Sequence, residues 1–66
     1  MITQIGIVAG EIWNYLESHD KTGKLDDMVA ELNRDKTLTL MSIGWLAREG
    51  HVVLEGIGPN YTVRLT

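Results

Sequence analysis

Residues Thr37 to Glu55, TLTLMSIGWLAREGHVVLE, constrain this chain most, because a stretch with helical periodicity stops at Gly50 and passes at once into alternation of period two. A glycine just past the last periodic residue ends a helix in the left-handed conformation, so the following strand must turn back beside the helix. From His51 onward, Val52 and Leu54 point one way, while His51, Val53 and Glu55 point the other. Tyr61, Val63 and Leu65 then alternate with Thr62, Arg64 and Thr66, and Gly56-Ile57-Gly58-Pro59-Asn60 supplies a turn between the two runs. The pattern predicts strands near 51–55 and 61–65. A lone hairpin is barely stable in water, so it should lie against helices.

The rest of the chain supplies those helices. Ile5, Val8, Ala9, Ile12, Trp13 and Leu16 fall on one side of a wheel stepped at about 100° per residue, which predicts a core helix near 3–19. Gly6 and Gly10 lie on its flank, and each costs about 1 kcal/mol of helix propensity relative to alanine. The favoured reading of that cost is room for a bulky neighbour. His19-Asp20-Lys21-Thr22-Gly23 reads as the terminating turn, with Gly23 at its end, and Lys24-Leu25 as the place for a short strand. Asp26 is the expected cap of a helix near 26–33, which carries Leu25, Met28, Val29 and Leu32 at helical spacing. Asn33-Arg34 makes a tight turn, and Asp35 caps a third helix near 36–49. Helix, tight turn, helix and hairpin together predict a single α+β domain over residues 1–66, a winged helix-turn-helix with a three-helix core and a C-terminal two-stranded wing.

At 66 residues such a domain can bury only about 60% of its unfolded surface and is marginally stable on its own. Without cysteine there is no disulfide or thiolate zinc site, and His19 and His51 are far apart with no ligand-spaced neighbour. No metal or other cofactor is expected, and self-association is the remaining source of extra stability. The N-terminal residues lack a basic start, and Gln4, Glu11 and Asn14 interrupt their apolar pattern, so neither a signal peptide nor a membrane span is expected. The cytoplasm is the expected location, and no small-molecule ligand is indicated. A net charge of −3 opposes strong affinity for duplex DNA, although a local basic patch is compatible with it.

Gly44-Trp45-Leu46-Ala47-Arg48-Glu49, preceded by a helix with Ile5-Gly6 and Ala9-Gly10 near its start and Ile12-Trp13 after them, resembles a family of small bacterial winged helix-turn-helix domains of unknown function. The likeness spans nearly the whole chain. It implies a three-helix core with a wing and a role in DNA binding or transcription regulation, and it supplies no binding residues.

On that expectation Arg34, Lys36, Ser42, Arg48 and Arg64 are the candidates for contact with double-stranded DNA. The four basic residues would give a log–log salt slope of about −3.6 if all engaged phosphate. Helix three nevertheless offers base edges little, since only Ser42 and Arg48 on the side opposite its core face suit hydrogen-bonded readout. Thr39, Leu40, Ile43, Leu46 and Ala47 are assigned to its core face. Leu38, Met41 and Trp45 lie opposite at i, i+3, i+7, the anchor spacing of a helix that docks on a partner. With Ile7 of helix one they are the candidates for a protein interface, and the alternative function is a protein-interaction or homodimerisation module. Trp45 is equally well explained as folding under the wing or against the glycine flank of helix one. Catalysis is not expected, because the chain shows no nucleophile with its base, no carboxylate pair in a cleft and no phosphate-cradling glycine motif; Ser18-His19 are merely neighbours at a helix end.

Overall fold

The computed structural model describes residues 2–66, with elements α1 (Ile2–Glu17), β1 (Thr22–Lys24), α2 (Leu25–Leu32), α3 (Lys36–Arg48), β2 (Val52–Glu55) and β3 (Thr62–Leu65). Three helices surround one core, and a small antiparallel sheet closes its side. The architecture is a winged helix-turn-helix, as the periodicities predict.

The core is built from one stripe per element. Val8, Ala9, Ile12 and Leu16 come from α1, Leu25 and Met28 from α2, Ile43 and Leu46 from α3, and Val52, Val63 and Leu65 from the sheet; all are buried. Truncating a fully buried Ile12, Leu16 or Met28 to alanine would cost about 2–5 kcal/mol, comparable to the whole stability of such a domain. Trp13, expected on this face, instead lies at its edge and is 41% exposed.

The stripe on α3 is rotated from the one expected. Thr39, Ser42, Ile43 and Leu46 are buried, whereas Leu40 is exposed. Hydrophobicity alone favours Leu40, but two hydroxyls can be buried in its place because each finds a carbonyl one turn back. Thr39 Oγ1 donates to the Asp35 oxygen at 2.9 Å, and Ser42 Oγ donates to the Leu38 oxygen at 2.9 Å. No buried polar side-chain atom among the described residues lacks a partner, so these hydroxyls avoid the penalty of burial unpaired.

Helix ends follow the expected chemistry at some positions and not at others. Asp35 caps α3, its carboxylate accepting the Leu38 N–H at 3.0 Å, and Gly50 takes φ +79° directly after the helix. Asp26 is not a cap. Lys24 occupies the cap position of α2 and offers no side-chain acceptor, while the Asp26 N–H donates to Asn60 Oδ1 at 2.9 Å, so the acceptor comes from the wing turn. Nor does Gly23 form the turn after α1. Asp20 and Lys21 adopt positive φ there, and Gly23 sits in β1, where an added Cβ would approach Tyr15 Cε1 to 2.9 Å. That residue is glycine for want of space.

The wing has three strands rather than two, in the order β1-β3-β2. Gly23 pairs with Val63 across the β1–β3 ladder, and Val52 with Leu65 and Leu54 with Val63 across β2–β3. β1 therefore ties the wing to the loop between α1 and α2. The Leu25 N–H, donating to the Tyr61 oxygen at 2.9 Å, extends the same tie.

Candidate interaction surface

The basic side chains that suit phosphate are each held by a carboxylate. Arg34, in the turn between α2 and α3, forks onto Glu11 of α1 with Nε and Nη2 at 2.9 and 2.6 Å from its two oxygens. This bidentate hydrogen bond holds the Glu11 carboxyl below the usual carboxylate range, against the opposing effect of partial burial. Lys36 Nζ lies 3.3 Å from Asp26, Arg48 Nη1 3.0 Å from its neighbour Glu49, and Arg64 Nη2 2.8 Å from Glu55 across the wing. Four of the six basic residues are thus already neutralised by acids.

Ser42 is removed from the DNA-contact set. Its side chain is fully buried, and its hydroxyl proton is committed to the Leu38 carbonyl. Arg48 is the most available of the candidates, with 82% of its side chain exposed at the C-terminal end of α3. Thr37 is also exposed, one helical stripe away from the core, near Met41 and Gly44. The wing tip carries Ile57, 94% exposed, where a wing that enters the minor groove would present Arg or Lys.

Apolar side chains gather on a different side, along the seam between α1 and α3. Gly6, Ala9, Gly10, Trp13 and Asn14 of α1, Trp45 and Leu46 of α3, and His51 line an open groove of about 340 Å³. Trp45 lines this groove with Gly6 and Gly10 and is 47% exposed, so it is fully folded neither under the wing nor against the glycine flank. The space over the glycines is unused within the domain, since a Cβ built on Gly6 or Gly10 would meet nothing within 4 Å. The bulky neighbour expected from their helix cost is therefore not found against them. Leu38 packs half-buried against the core and leaves the interface set, whereas Met41 and Ile7 remain exposed.

Ser18 and His19 do approach each other, with Oγ and Nδ1 3.0 Å apart. The same Nδ1 lies 2.7 Å from the Tyr15 carbonyl oxygen, which can only accept, so Nδ1 carries the proton and is no base for Ser18. Ser18 Oγ donates to that oxygen as well, at 3.0 Å, and the imidazole stacks on the Tyr15 ring at 3.8 Å between centroids. The pair closes the C-terminal end of α1. Among the described residues no group of His, Cys, Asp and Glu is arranged to hold a metal ion, and no helix is long and apolar enough to cross a membrane.

No curated protein and no solved structure matches the sequence. A family model described as a winged helix-turn-helix domain (DUF2582) matches residues 1–65. Its description agrees with the arrangement of α1 to α3 and the three-stranded wing, and the chain belongs to this winged helix-turn-helix family.

Proposed function

We propose that this domain is a protein-interaction module whose partner is a second copy of itself, joined through the seam between α1 and α3. The observation that carries this reading is the pair of half-exposed tryptophans, Trp13 and Trp45, that line an open groove together with Gly6 and Gly10. An isologous interface requires one surface to complement itself, and this surface holds both projections and a hollow. None of the groove-lining residues is an acid, so the groove itself adds no carboxylate to the repulsion between two chains of net charge −3. A standard interface takes about 800 Å² from each partner, about a fifth of the 4141 Å² surface of this domain.

Trp13 and Trp45 are the chain's two tryptophans, so intrinsic fluorescence reports on the seam directly. Sedimentation velocity from micromolar to millimolar concentration should show a monomer–dimer equilibrium, with the emission maximum moving to the blue as dimer forms. A monomer at every concentration, with unchanged emission, would remove the proposal.

A second reading, a DNA-binding module serving transcription, is supported by the family's architecture and by the exposure of Arg48 and Thr37 on α3. Amide-resolved titration with mixed-sequence duplex at low salt tests it. Shifts at Thr37, Met41, Arg48 and the wing that fade as salt rises would favour it; an unmoved spectrum would exclude it.

A further inference from the structure

We infer that α2 is a clamped segment that opens as a unit while α1, α3 and the β2–β3 ladder stay folded, its opening governed jointly by the wing turn at one end and Glu11 at the other. At eight residues α2 is below the length at which an isolated helix holds its shape in water. It contributes two buried side chains, Leu25 and Met28, where α1 and α3 contribute four each. Local opening starts in the elements that bury least, and among the three helices that is α2.

What holds α2 at its ends comes largely from outside it. At its start the Leu25 N–H donates to the Tyr61 oxygen and the Asp26 N–H to Asn60 Oδ1, each at 2.9 Å, so both acceptors belong to the end of the wing turn. Lys24 adds no side-chain acceptor of its own. Past its other end Asn33 takes φ +54°, and Arg34 reaches across to α1, where Glu11 accepts from Nε and Nη2 at 2.9 and 2.6 Å. A third tie joins the start of α2 to the start of α3, with Asp26 3.3 Å from Lys36. Both ion pairs are partly exposed, so water can take over their groups when α2 lifts away. The same event parts Lys36 from Asp26 and frees a cation at the start of α3.

Native-state hydrogen exchange in sub-denaturing urea tests the inference. The amides of Met28 to Leu32 should share one opening free energy, lower than that of Ile12 and Ile43 and less dependent on urea because less surface is exposed. Asn60→Ala, before α2, and Glu11→Gln, beyond its end, should each speed exchange across that whole set, Asn60→Ala by about two- to eightfold. Gly50→Ala is the control. It acts directly after α3, so it should speed Ile12 and Ile43 and leave Met28 to Leu32 at wild-type rates. If Met28 to Leu32 exchanged with the free energy and urea dependence of Ile12 and Ile43, α2 would open only with the whole chain and the inference would fall. It would fall equally if Asn60→Ala sped the Asp26 amide alone.

Discussion

Replacing Asn60 with alanine tests whether the wing holds the start of α2. The first N–H groups of a helix have no partner within it, and Lys24 at the cap of α2 provides no side-chain acceptor. Asn60 Oδ1, 34 positions along the chain, accepts the Asp26 N–H at 2.9 Å and so does a cap's work from outside the helix. Losing a capping acceptor costs about 1 kcal/mol, within a range of about 0.5–2. The bond is exposed, so water can replace part of it and the lower half of the range applies. For a domain of 66 residues, 1 kcal/mol moves the melting temperature by about 4–8 °C. Asn60→Ala should therefore melt about 2–10 °C lower by circular dichroism, with faster hydrogen exchange at the Asp26 amide. Asn60→Asp retains an acceptor and should recover part of the loss, less than all of it because Asp26 and Asp27 are close by. If Asn60→Ala left both the melting temperature and the Asp26 exchange rate at wild-type values, the wing would contribute nothing to the end of α2.

Three further outcomes follow from the same geometry. Because Arg34 holds the folded-state pKa of Glu11 below its ordinary value, the stabilisation by Glu11 is complete above that ordinary value and is lost as pH falls through the lower folded pKa. Urea midpoints of Glu11→Gln and wild type should therefore differ at pH 7 and converge as acid protonates Glu11 in the folded state; a difference that stays constant down to pH 2 would contradict the linkage. Gly50→Ala should cost about 1 kcal/mol, read by urea denaturation, because its φ of +79° penalises any Cβ although no atom obstructs one. Glu49→Gln with Glu55→Gln frees Arg48 and Arg64 from their acids, and should create or strengthen low-salt duplex binding with a log–log slope about 1.8 units steeper. An unchanged slope by fluorescence anisotropy would show that those carboxylates do not mask phosphate contacts.

The elements that the sequence made legible are those whose signal is local. Asp35 and Gly50 announce the ends of α3 within a few residues of themselves, and the alternation from Val52 to Leu65 can only be a hairpin. What was hidden depends on a partner distant in the chain. The short strand expected at Lys24-Leu25 is β1, shifted to Thr22–Lys24; its three residues, with one half-buried position, are too short for a periodic signal to fix its bounds or its pairing with the edge of β3. Asp26 looks like a cap because nothing near it reveals Asn60. On α3 the exchange of Ser42 for Leu40 in the core rests on a hydroxyl bonded one turn back, which a hydrophobicity pattern misreads. The arginines looked available because their acids cannot be assigned from spacing: Glu11 is 23 positions from Arg34, and Glu55 lies across a strand pair from Arg64.

Charge pairing and marginal size together are what favour the proposed self-association over duplex binding. Counterion release by unpaired Lys and Arg supplies most non-specific affinity for a duplex, and here a phosphate would have to displace Glu11, Asp26, Glu49 or Glu55 before meeting four of the basic side chains. The exchange replaces one ion pair by another and releases few counterions. Apolar association meets no such opposition at the seam, where the groove lining bears no formal charge with His51 neutral. It also supplies what the chain otherwise lacks, since a domain of this size without disulfides gains stability from any partner that binds only the folded form. Under the proposed self-association, folding and association are linked: at concentrations well above the dimer constant the melting temperature should rise with protein concentration, and a melting temperature independent of concentration would contradict it.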